Sequence, residues 1–349
     1  MKVLHLPTNI ASQMSVTVAA LREMGIEARG LTGLSPVQNA AGLEILPHGA
    51  PGDSFLKRKA LGLRRAALIM EAITWADVVH WHYSAGLPFA ADLRAARLLG
   101  KKRFVEFWGS DIRIPEIEFA DNPHFVRARE SGEYECSEGE SRENSLRTQR
   151  LFSGNGARLL MGSPGMDQYI CRALFPQSLP TAQRVCLADY EPAVPRAGNT
   201  RPLVVHTPSA PGAKGTKFVL AAIEKLRGEC DFDFKLIHGM TPLESREWMS
   251  RCDVLVDQLI AGVYGLAAVE GMAFGKPVIC YIKPSLKARF PAHLPIIDAN
   301  PDTVEDVLRA LLQDGPRRHA VGAASRAWVE EKHDARKVVA RLAEYYKAA

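Results

Sequence analysis

The chain has 349 residues, of which 47% are hydrophobic and 24% are charged, and its formal net charge is +5. Its length exceeds what one hydrophobic core usually holds, so we predict two domains. The apolar runs have only the length of strands, and the first is too short for a signal peptide, which excludes a membrane-spanning protein. The six cysteines have no paired spacing, so neither a zinc site nor a disulfide framework is indicated, and a reducing cytoplasm is the expected location.

Strands and helices alternate along the first half of the chain. A short apolar strand at residues 3–6 leads through a polar turn into a helix, in which Met14, Val18 and Leu21 recur at helical spacing. Further segments have the apolar character of buried strands: residues 77–82, 103–108, 158–161 and 184–187. This alternation predicts a parallel sheet covered by helices on both faces.

The basic charge is concentrated in residues 55–68, which we interpret as a partly amphipathic helix. Its basic side chains are Lys57, Arg58, Lys59, Arg64 and Arg65. Such a helix can dock on anionic lipid, and an ordinary solvated helix of the same composition is the alternative. Because no aromatic-and-basic stripe or known binding motif accompanies the charge, we do not predict nucleic acid as a partner.

Two segments interrupt the alternation. Residues 115–150 are polar and acid-rich, and we predict a long loop with short helices that either borders a substrate cleft or forms a surface insertion. Residues 191–202 contain three prolines and a glycine, and we interpret them as the linker between the domains. The alternation then restarts, with strands at 203–206, 234–238 and 254–256 and helices at 216–226 and 243–249.

The segment from Gly262 to Val278 is the most informative for function. A loop bounded by Gly262 and Gly265 leaves backbone N–H groups free where a short helix begins, and the helix dipole favours an anion there. Glu270 follows one to two turns later, within reach of hydroxyls on the same ligand. A phosphate at the loop and a sugar hydroxyl at the carboxylate describe a nucleoside diphosphate, and a generic glycine turn with a solvated glutamate is the alternative.

Two other loops are consistent with such a ligand. The strand at 203–206 ends in a loop that carries Ser209, Lys214 and Thr216 before a helix, and a cation beside a helix N-terminus suits a pyrophosphate. The alternative is that Lys214 is an ordinary surface lysine at the start of a helix. The strand at 254–256 ends in the polar pair Asp257-Gln258, where a nucleotide base would rest, or which simply terminates the strand.

The motif formed by Tyr264-Gly265, Glu270 and residues 272–278 resembles the donor-binding signature of group 1 (family 4-like) glycosyltransferases, which runs E-x-F-G-x-x-x-x-E-A-M-A-x-G-K-P-V. The resemblance implies an α/β protein of GT-B fold, with two Rossmann-like domains facing a central cleft. It assigns residues 1–195 to an acceptor-side domain and residues 196–334 to a nucleotide-sugar donor-binding domain. Residues from about 335 to 349 would form a helix that crosses back to the first domain.

The resemblance also gives roles to donor-domain residues. Glu270 takes the position of the glutamate that binds the ribose, and Lys214 that of a lysine on the donor diphosphate. The first glutamate of the signature, which contacts the donor sugar in the family, falls on Gly262. The arginine that the family usually has in the loop before Lys214 falls near Ser209. Lys217 is the candidate to replace that arginine as a cation on the phosphate. The donor-binding set is Glu270, Lys214, Gly265, Tyr264, Ser209 and Gly239, the last lining the nucleotide pocket.

In the first half, residues 107–113 resemble the family's His-Gly-Ser-Asp element. Trp108 takes the histidine position, and Asp111 either binds acceptor or donor hydroxyls or caps the following segment. His80 and His82 end another strand, and we expect them to face opposite ways, so that at most one lines the cleft. A core or rim histidine is the alternative.

The first strand–helix turn carries Asn9, Ser12 and Gln13, which we predict as acceptor-binding residues. Members of the family bind acceptor or phosphate at this turn. The paired glycines that they usually have are missing here.

Together these features predict a retaining glycosyltransferase of the hexosyltransferase type. It would move a sugar from a nucleotide-sugar donor to a saccharide, glycolipid or other acceptor in surface glycan synthesis, peripherally at the inner face of the membrane. The catalytic residue is unknown, with Asp111, Trp108 and His82 as candidates, and no metal or other cofactor is expected since no Asp-x-Asp site is present. The alternatives are a non-catalytic GT-B subunit that binds nucleotide or glycan, and a nucleotide-sugar epimerase.

Overall fold

A computed structural model of the chain describes residues 1–33, 39–134 and 139–349. The chain forms two compact units. The first unit comprises Met1–Ile114, Gly139–Arg184 and Ala335–Ala349, and the second unit comprises Pro115–Glu138 and Val185–Asp334. Residues 135–138 of the predicted acid-rich loop lie outside the described residues.

The strands and helices alternate along most of the chain. The strands are β1 (Lys2–Pro7), β2 (Glu27–Thr32), β3 (Glu44–Ile45), β4 (Val78–His82), β5 (Lys102–Glu106), β6 (Arg158–Met161), β7 (Ser178–Pro180), β8 (Leu203–His206), β9 (Asp233–Leu236), β10 (Val254–Val256), β11 (Val278–Ile279) and β12 (Ile296–Ile297). The helices are α1 (Gln13–Glu23), α2 (Phe55–Trp75), α3 (Ala91–Leu98), α4 (Pro115–Asp121), α5 (Pro123–Glu130), α6 (Arg142–Gly154), α7 (Pro164–Asp167), α8 (Pro211–Lys214), α9 (Thr216–Leu226), α10 (Pro242–Arg251), α11 (Leu266–Ala273), α12 (Pro284–Lys287), α13 (Val304–Gln313), α14 (Gly315–Lys332) and α15 (Ala335–Ala348).

The first unit is built on a parallel sheet with the strand order β3-β2-β1-β4-β5-β6-β7. Its central strands are buried along most of their length, as expected for a parallel sheet with helices on both faces. Helix α15 belongs to this unit, where Val339, Leu342 and Tyr346 pack in a core that also contains Val3 and Phe104. The order in which the chain adds strands to this sheet reverses between the neighbouring strands β1 and β4: β2 and β3 lie on one side, and β4 to β7 lie on the other.

The second unit is built on a smaller parallel sheet with the strand order β12-β11-β10-β8-β9. Helices α9 and α13 cover one core, where Val219, Ile223 and Leu308 pack beside Val204. Helix α11 packs in the other core, beside Leu255 and Val278. Gly271 allows this close approach, because a Cβ atom there would lie 2.3 Å from Leu255 Cδ2. The two buried parallel sheets confirm the predicted α/β class.

Three observations differ from the sequence-based expectations. Residues 184–187 do not form a strand: Val185 makes an isolated bridge with Asp334, and a 3₁₀ turn follows at Leu187–Asp189. The segment 115–150 contains the helices α4, α5 and α6, so helix covers more of it than the predicted long loop with short helices implied. Its part Pro115–Glu138 groups with the second unit, whereas the sequence analysis placed it in the first domain.

Among the described residues, no helix combines the length and apolar character needed to cross a bilayer.

Candidate functional site

The predicted donor loops meet at the centre of the second sheet. Strands β8 and β10 are neighbours, with β9 on one side of them and β11 and β12 on the other, so the strand order reverses between β8 and β10. In open parallel sheets, ligands bind at the carboxyl ends of the strands at such a switch point. Lys214 follows β8 and Asp257 follows β10, so the topology brings the two loops together.

The centre of this site is a bridge made by Asp257. The Lys214 ammonium donates to Asp257 Oδ1 at 2.7 Å, and the backbone N–H of Gly265 donates to Oδ2 at 3.2 Å. Gly265 is the N-cap residue of α11, so its amide lies at the positive end of a helix dipole. The cation and the amide that we predicted for a diphosphate therefore lie around one point, where a fully buried carboxylate is bound to both.

Three polar groups lie near Gly265. A Cβ atom at residue 265 would lie 3.9 Å from both Asp257 Oδ2 and Lys214 Nζ, and 4.0 Å from Gln258 Nε2. This arrangement can bind a polar, anionic group in direct contact with the backbone.

Glu270 lies on α11, one turn beyond that helix N-terminus, and is held by two other residues. The Tyr190 hydroxyl donates to Glu270 Oε1 at 2.7 Å, and Arg246 Nε lies 3.6 Å from the same oxygen. The Arg246 guanidinium also stacks on the Tyr190 ring, with Cζ 5.0 Å from its centroid. No described residue is hydrogen-bonded to Oε2. Burial raises the pKa of Glu270, while Tyr190 and Arg246 oppose that rise.

Tyr190 and Arg246 were not predicted as site residues. Tyr190 lies 80 residues before Glu270 in the chain, and Arg246 lies on α10. No spacing in the sequence connects either of them with Glu270. They orient one carboxylate oxygen and leave the other for a hydroxyl ligand.

The end of β8 is fixed by a buried histidine. His206 Nδ1 donates to the Val256 carbonyl at 2.8 Å, so its Nε2 accepts from the Thr216 hydroxyl at 2.9 Å. Burial lowers the pKa of His206 to about 4, so the ring is neutral. The Thr216 hydroxyl is therefore part of the fold, whereas the buried Thr207 hydroxyl has no partner among the described residues.

The local packing explains why the first glutamate of the signature is absent. Gly262 has a φ of +73°, and a Cβ atom there would lie 2.9 Å from Lys283 Cβ and 3.0 Å from Lys283 Cγ. The Lys283 ammonium is buried and bound to Glu118 at 3.1 Å and Asp121 at 2.8 Å. Both carboxylates come from α4, so this part of the 115–134 segment fixes the lysine that occupies the space beside Gly262.

The 115–134 segment also contacts the loop after β8. The Glu133 carbonyl oxygen would lie 1.9 Å from a Cβ atom on Gly212, so only glycine is compatible with the contact. The Glu133 carboxylate pairs with Lys217, which is therefore engaged away from Asp257. On the same segment, Asn122 Nδ2 donates to the Ile260 carbonyl at 2.7 Å.

The remaining predicted donor residues lie around the same edge with different surroundings. Ser209 is exposed in the loop after β8, and Gly239 follows β9 with a φ of +72°. His238 Nδ1 lies 3.2 Å from the Pro208 carbonyl and so connects the two loops. Tyr264 instead directs its hydroxyl to His333 Nε2 at 3.2 Å and packs on Phe290, which is a structural arrangement.

In the first unit, the switch point between β1 and β4 is marked by backbone strain. The non-glycine residues with positive φ in the described chain all lie in loops after these two strands: Ala11, Ser12, Tyr83, Phe89 and Ala90. Such conformations cost about 1–3 kcal/mol each and cluster at ligand sites. The paired glycines usual in the family are missing at the turn after β1, and Ala11 and Ser12 in this turn adopt left-handed backbone angles.

The side chains predicted at this turn have structural partners. Asn9 Oδ1 accepts from the backbone N–H groups of Met14 at 3.0 Å and Ser15 at 3.2 Å, which caps α1. Gln13 accepts from the Arg184 N–H at 2.8 Å and donates to its carbonyl at 3.0 Å. The Ser12 hydroxyl accepts from the Asn39 N–H at 3.0 Å. The polar groups of this turn therefore shape the loop.

Asp111 has the capping role that was one of its two interpretations. Its carboxylate accepts from the N–H groups of Gly109 at 2.7 Å, Trp108 at 3.0 Å and Ile112 at 3.1 Å. Burial raises the pKa of Asp111 to about 6, although these N–H groups oppose the rise. The carboxylate is nearly buried and fixes the loop that carries Trp108.

The expectation that His80 and His82 face opposite ways is wrong. Their rings stack, with centroids 4.3 Å apart, because residues two apart in a strand point to the same face of the sheet. His5 on β1 joins them, with its Nδ1 2.9 Å from His82 Nε2. All three rings are fully buried, which favours the core-histidine alternative.

The hydrogen bonds fix the tautomers of two of these rings. The Trp108 indole N–H, which can only donate, lies 3.3 Å from His82 Nδ1, so His82 carries its proton on Nε2 and donates to His5. His5 Nε2 then carries a proton that has no partner among the described residues. Burial, with a contribution from the nearby Arg184, lowers the pKa of His5 to about 3.

One ring nitrogen of each histidine lies within 4.8 Å of the others, a spacing that invites comparison with a metal site. The charges around the three rings do not suit a bound divalent cation. Glu106 beside these rings is already neutralised by Arg184, which binds it at 2.7 and 3.1 Å. A divalent cation held by neutral imidazoles would leave two uncompensated positive charges in a fully buried position. We therefore interpret the cluster as a buried polar network.

A cavity of about 430 Å³ in the second unit lies at the opposite end of the sheet. It is lined by residues that precede β8 and β9, including Thr200 and Asp231, and by the region around Gly315. None of the predicted site residues lines it. The candidate site at the carboxyl edge of the sheet is therefore separate from this cavity.

Comparison with solved structures identifies the fold. The chain superimposes over its full length on HepE from Anabaena, solved with UDP and glucose, with a TM-score of 0.64, 12% identity and coverage of 100% of both chains. For sucrose-phosphate synthase from Thermosynechococcus elongatus the TM-score is 0.66 at 14% identity, covering 100% of this chain and 98% of that one. WaaG, a glycosyltransferase involved in lipopolysaccharide biosynthesis, gives 0.60 at 13% identity, with both chains covered completely.

No protein-family model matches the sequence, and no curated protein matches it either. The structural neighbours are GT-B glycosyltransferases, so the predicted GT-B fold is confirmed. At 12–14% identity this likeness establishes the fold alone.

Proposed function

We propose that this protein is a glycosyltransferase that transfers a sugar from a nucleotide-sugar donor, with retention of configuration, to a saccharide or lipid-linked acceptor. The observation that carries the proposal is the meeting of Lys214 and the Gly265 amide on Asp257 at the switch point of the second sheet, with Glu270 one turn further along α11. A cation and a helix N-terminus suit a diphosphate, and the carboxylate one turn further along the helix suits a ribose. The neighbour HepE was solved with UDP-glucose, which supports the donor class.

The chemistry assigned to these residues is stabilisation of a leaving group. As the bond between sugar and oxygen breaks, negative charge accumulates on the diphosphate. The Lys214 ammonium and the dipole of α11 are preorganised to interact with that charge. We propose that the residues of the chain do this without a metal ion, and we assign no general base. The strained loops after β1 and β4 in the first unit are the proposed acceptor side.

A screen for nucleotide binding tests this proposal. Thermal shifts would be measured with UDP, GDP, ADP, CMP and dTDP and with their common sugar conjugates. We expect one nucleotide series to stabilise the chain, by about 2.7 kcal/mol at a hundredfold excess over Kd. Glu270→Ala and Glu270→Gln are expected to reduce that shift strongly, because the ribose loses its carboxylate.

Glu224→Ala is the matched control, because Glu224 lies exposed on α9 of the same unit and pairs with Arg227. Its nucleotide-induced shift should equal that of the wild type. Since Glu270 also holds Tyr190 and Arg246, each variant is compared with its own ligand-free melting temperature. Absence of a shift with every nucleotide would refute the donor-site assignment.

A second candidate function is a non-catalytic GT-B subunit that binds nucleotide or glycan. A specific observation favours it: Asn9, Gln13, Asp111 and His82 in the first unit are all engaged in structural hydrogen bonds. Stable binding of a nucleotide sugar without turnover, across a broad panel of acceptors, would support this function over transfer.

We also propose that the first turns of α2 dock on anionic lipid, which would place the enzyme peripherally at the inner face of the membrane. Phe55, Leu56 and Leu63 expose 63%, 77% and 75% of their surface beside Lys57, Arg58, Lys59 and Arg64. Exposed apolar side chains flanked by cations suit an interface with acidic headgroups.

Vesicle sedimentation checks the docking of α2. The chain is expected to bind vesicles of 70% phosphatidylcholine and 30% phosphatidylglycerol, and to bind pure phosphatidylcholine much less. The double variant Leu56→Glu/Leu63→Glu should weaken binding by about tenfold or more, since two buried apolar groups are lost and two negative charges are added. Leu243→Glu is the control, because Leu243 is 78% exposed on α10 of the other unit. Equal binding by both variants would contradict the docking.

A further inference from the structure

We propose that Asp257 is a specificity residue that contacts the sugar of the donor and disfavours the free nucleoside diphosphate. The inference rests on the proposed function and deepens it. Asp257 follows β10 at the switch point, and its carboxylate is bound to the lysine and the amide assigned to the diphosphate. The sequence analysis placed a nucleotide base near Asp257, and the contacts of its carboxylate favour the sugar instead.

The position of Asp257 decides what it can bind. A carboxylate beside a diphosphate repels the phosphate oxygens, so its own ligand must be neutral and must donate hydrogen bonds. The neutral group joined directly to the diphosphate of a nucleotide sugar is the sugar, which carries hydroxyl donors. A carboxylate accepts about four hydrogen bonds, and Asp257 makes two within the described chain. The remaining positions can accept from sugar hydroxyls.

Gly265 lies directly beside the buried carboxylate. A Cβ atom at residue 265 would lie 3.9–4.0 Å from polar atoms of Asp257, Lys214 and Gln258. A group bound at this glycine would therefore lie beside both the cation and the carboxylate. A phosphate bound to Lys214 and a sugar bound to Asp257 would then be adjacent.

The charge of Asp257 also gives the protein different affinities for the nucleoside diphosphate product and the nucleotide-sugar donor. The free nucleoside diphosphate carries more negative charge than its sugar conjugate, because its terminal phosphate is unesterified. The carboxylate therefore penalises the product more than the donor, while the sugar hydroxyls offset the penalty for the donor alone. Specificity of this kind is a difference between two affinities, and repulsion contributes to it.

The test measures both affinities by calorimetry in wild type and Asp257→Asn. The probes are UDP and UDP-glucose, or the diphosphate and conjugate that the nucleotide screen selects. In Asp257→Asn we expect the diphosphate to bind about threefold to tenfold more tightly, because repulsion is removed. The conjugate should bind more weakly, so that the ratio of the two Kd values changes by at least about tenfold.

Asp298→Asn is a closely matched control. Asp298 also accepts from a lysine, Lys287 at 2.7 Å, and from a backbone N–H, that of Ile282 at 2.9 Å, but it follows the edge strand β12. Its substitution should leave the ratio of Kd values unchanged. Asp257→Glu keeps the charge and displaces the carboxylate, so it should weaken binding of the conjugate while leaving the diphosphate affinity near that of the wild type.

The outcomes are separable. An unchanged ratio in folded Asp257→Asn would refute the inference and make Asp257 only a structural partner of Lys214. If Asp257→Asn does not fold, an unchanged conjugate affinity in Asp257→Glu has the same meaning. If wild type binds no nucleotide at all, the proposed function fails first, and that result is visible before any variant is measured.

Discussion

Replacement of Arg184 by methionine is expected to lower the free energy of unfolding of the first unit by about 3–5 kcal/mol. Arg184 is fully buried and binds both oxygens of Glu106, while its Nε donates to the Thr17 hydroxyl at 2.6 Å. Without the guanidinium, the Glu106 carboxylate is left unpaired among neutral histidines. A buried charge that loses its partner is among the most destabilising changes in a protein.

A double variant distinguishes the charge effect from the loss of packing. Glu106→Leu/Arg184→Met removes both charges and should recover most of the lost stability, because apolar residues of similar volume often replace a buried ion pair without loss. Arg29→Met is the control in the same unit. Arg29 also makes a two-pronged contact, but its partners Glu44 and Glu71 are largely exposed, so about 1 kcal/mol or less is expected.

Native-state hydrogen exchange of peptides covering β4 and β5 is the appropriate measurement. The two units need not unfold together, and a single transition of the whole chain would mix their stabilities. Protection of these strands reports the first unit alone. Exchange in Arg184→Met no faster than in Arg29→Met would show that Glu106 does not depend on the guanidinium.

Strands of the second unit were predictable from sequence because they are short apolar runs with polar ends. The predicted segments 203–206 and 254–256 coincide with β8 and β10. Residues 184–187 look similar but do not form a strand. Arg184 there is held by the side chain of Gln13, and the Val185 N–H donates to the His333 carbonyl, so no ladder forms. A single apolar run does not reveal where its backbone groups find partners.

The chain order of the loops was sufficient to bring Lys214 and Gly265 together, because neighbouring parallel strands end at the same edge. The contacts that define the site were not predictable. Tyr190 and Arg246 reach Glu270 from distant segments, and Lys283 fills the space beside Gly262 while bound to α4. Such contacts depend on tertiary packing and leave no local spacing in the sequence.

In the first unit, the sequence did not reveal the role of the polar side chains that follow the strands. Asn9 and Gln13 were predicted as ligand-binding residues because the family binds acceptor or phosphate at the turn after β1, and Asp111 because its segment resembles the family's His-Gly-Ser-Asp element. In the structure Asn9 and Asp111 bind backbone groups of their own loops, and Gln13 binds the backbone of Arg184. A loop with strained or irregular backbone needs such partners, since its N–H groups have none in a helix or sheet. Sequence alone does not distinguish a polar side chain that shapes a loop from one that binds a ligand.

The second large effect is expected at Lys214. Lys214→Met should weaken binding of the nucleoside diphosphate by about 10- to 150-fold, since a hydrogen bond to a charged group contributes about 1.5–3 kcal/mol. The loss is increased by Asp257, which then faces the diphosphate without its counter-ion. Calorimetry with the diphosphate selected by the nucleotide screen gives the change directly. Lys214→Arg, which keeps the charge, should retain most of the affinity.

Lys217→Met provides the control for Lys214→Met, because Lys217 begins the next helix but pairs with Glu133. Less than about a twofold change is expected there. The double variant Lys214→Met/Asp257→Asn should bind at least about thirtyfold more tightly than Lys214→Met, a larger gain than Asp257→Asn gives in the wild type, because the carboxylate of Lys214→Met has no counter-ion. A coupling energy between the two positions follows from the four affinities, and neighbours in one charge network typically give about 0.5–3 kcal/mol. Wild-type affinity in Lys214→Met would mean that the diphosphate lies elsewhere, and additive effects would mean that Asp257 does not face it.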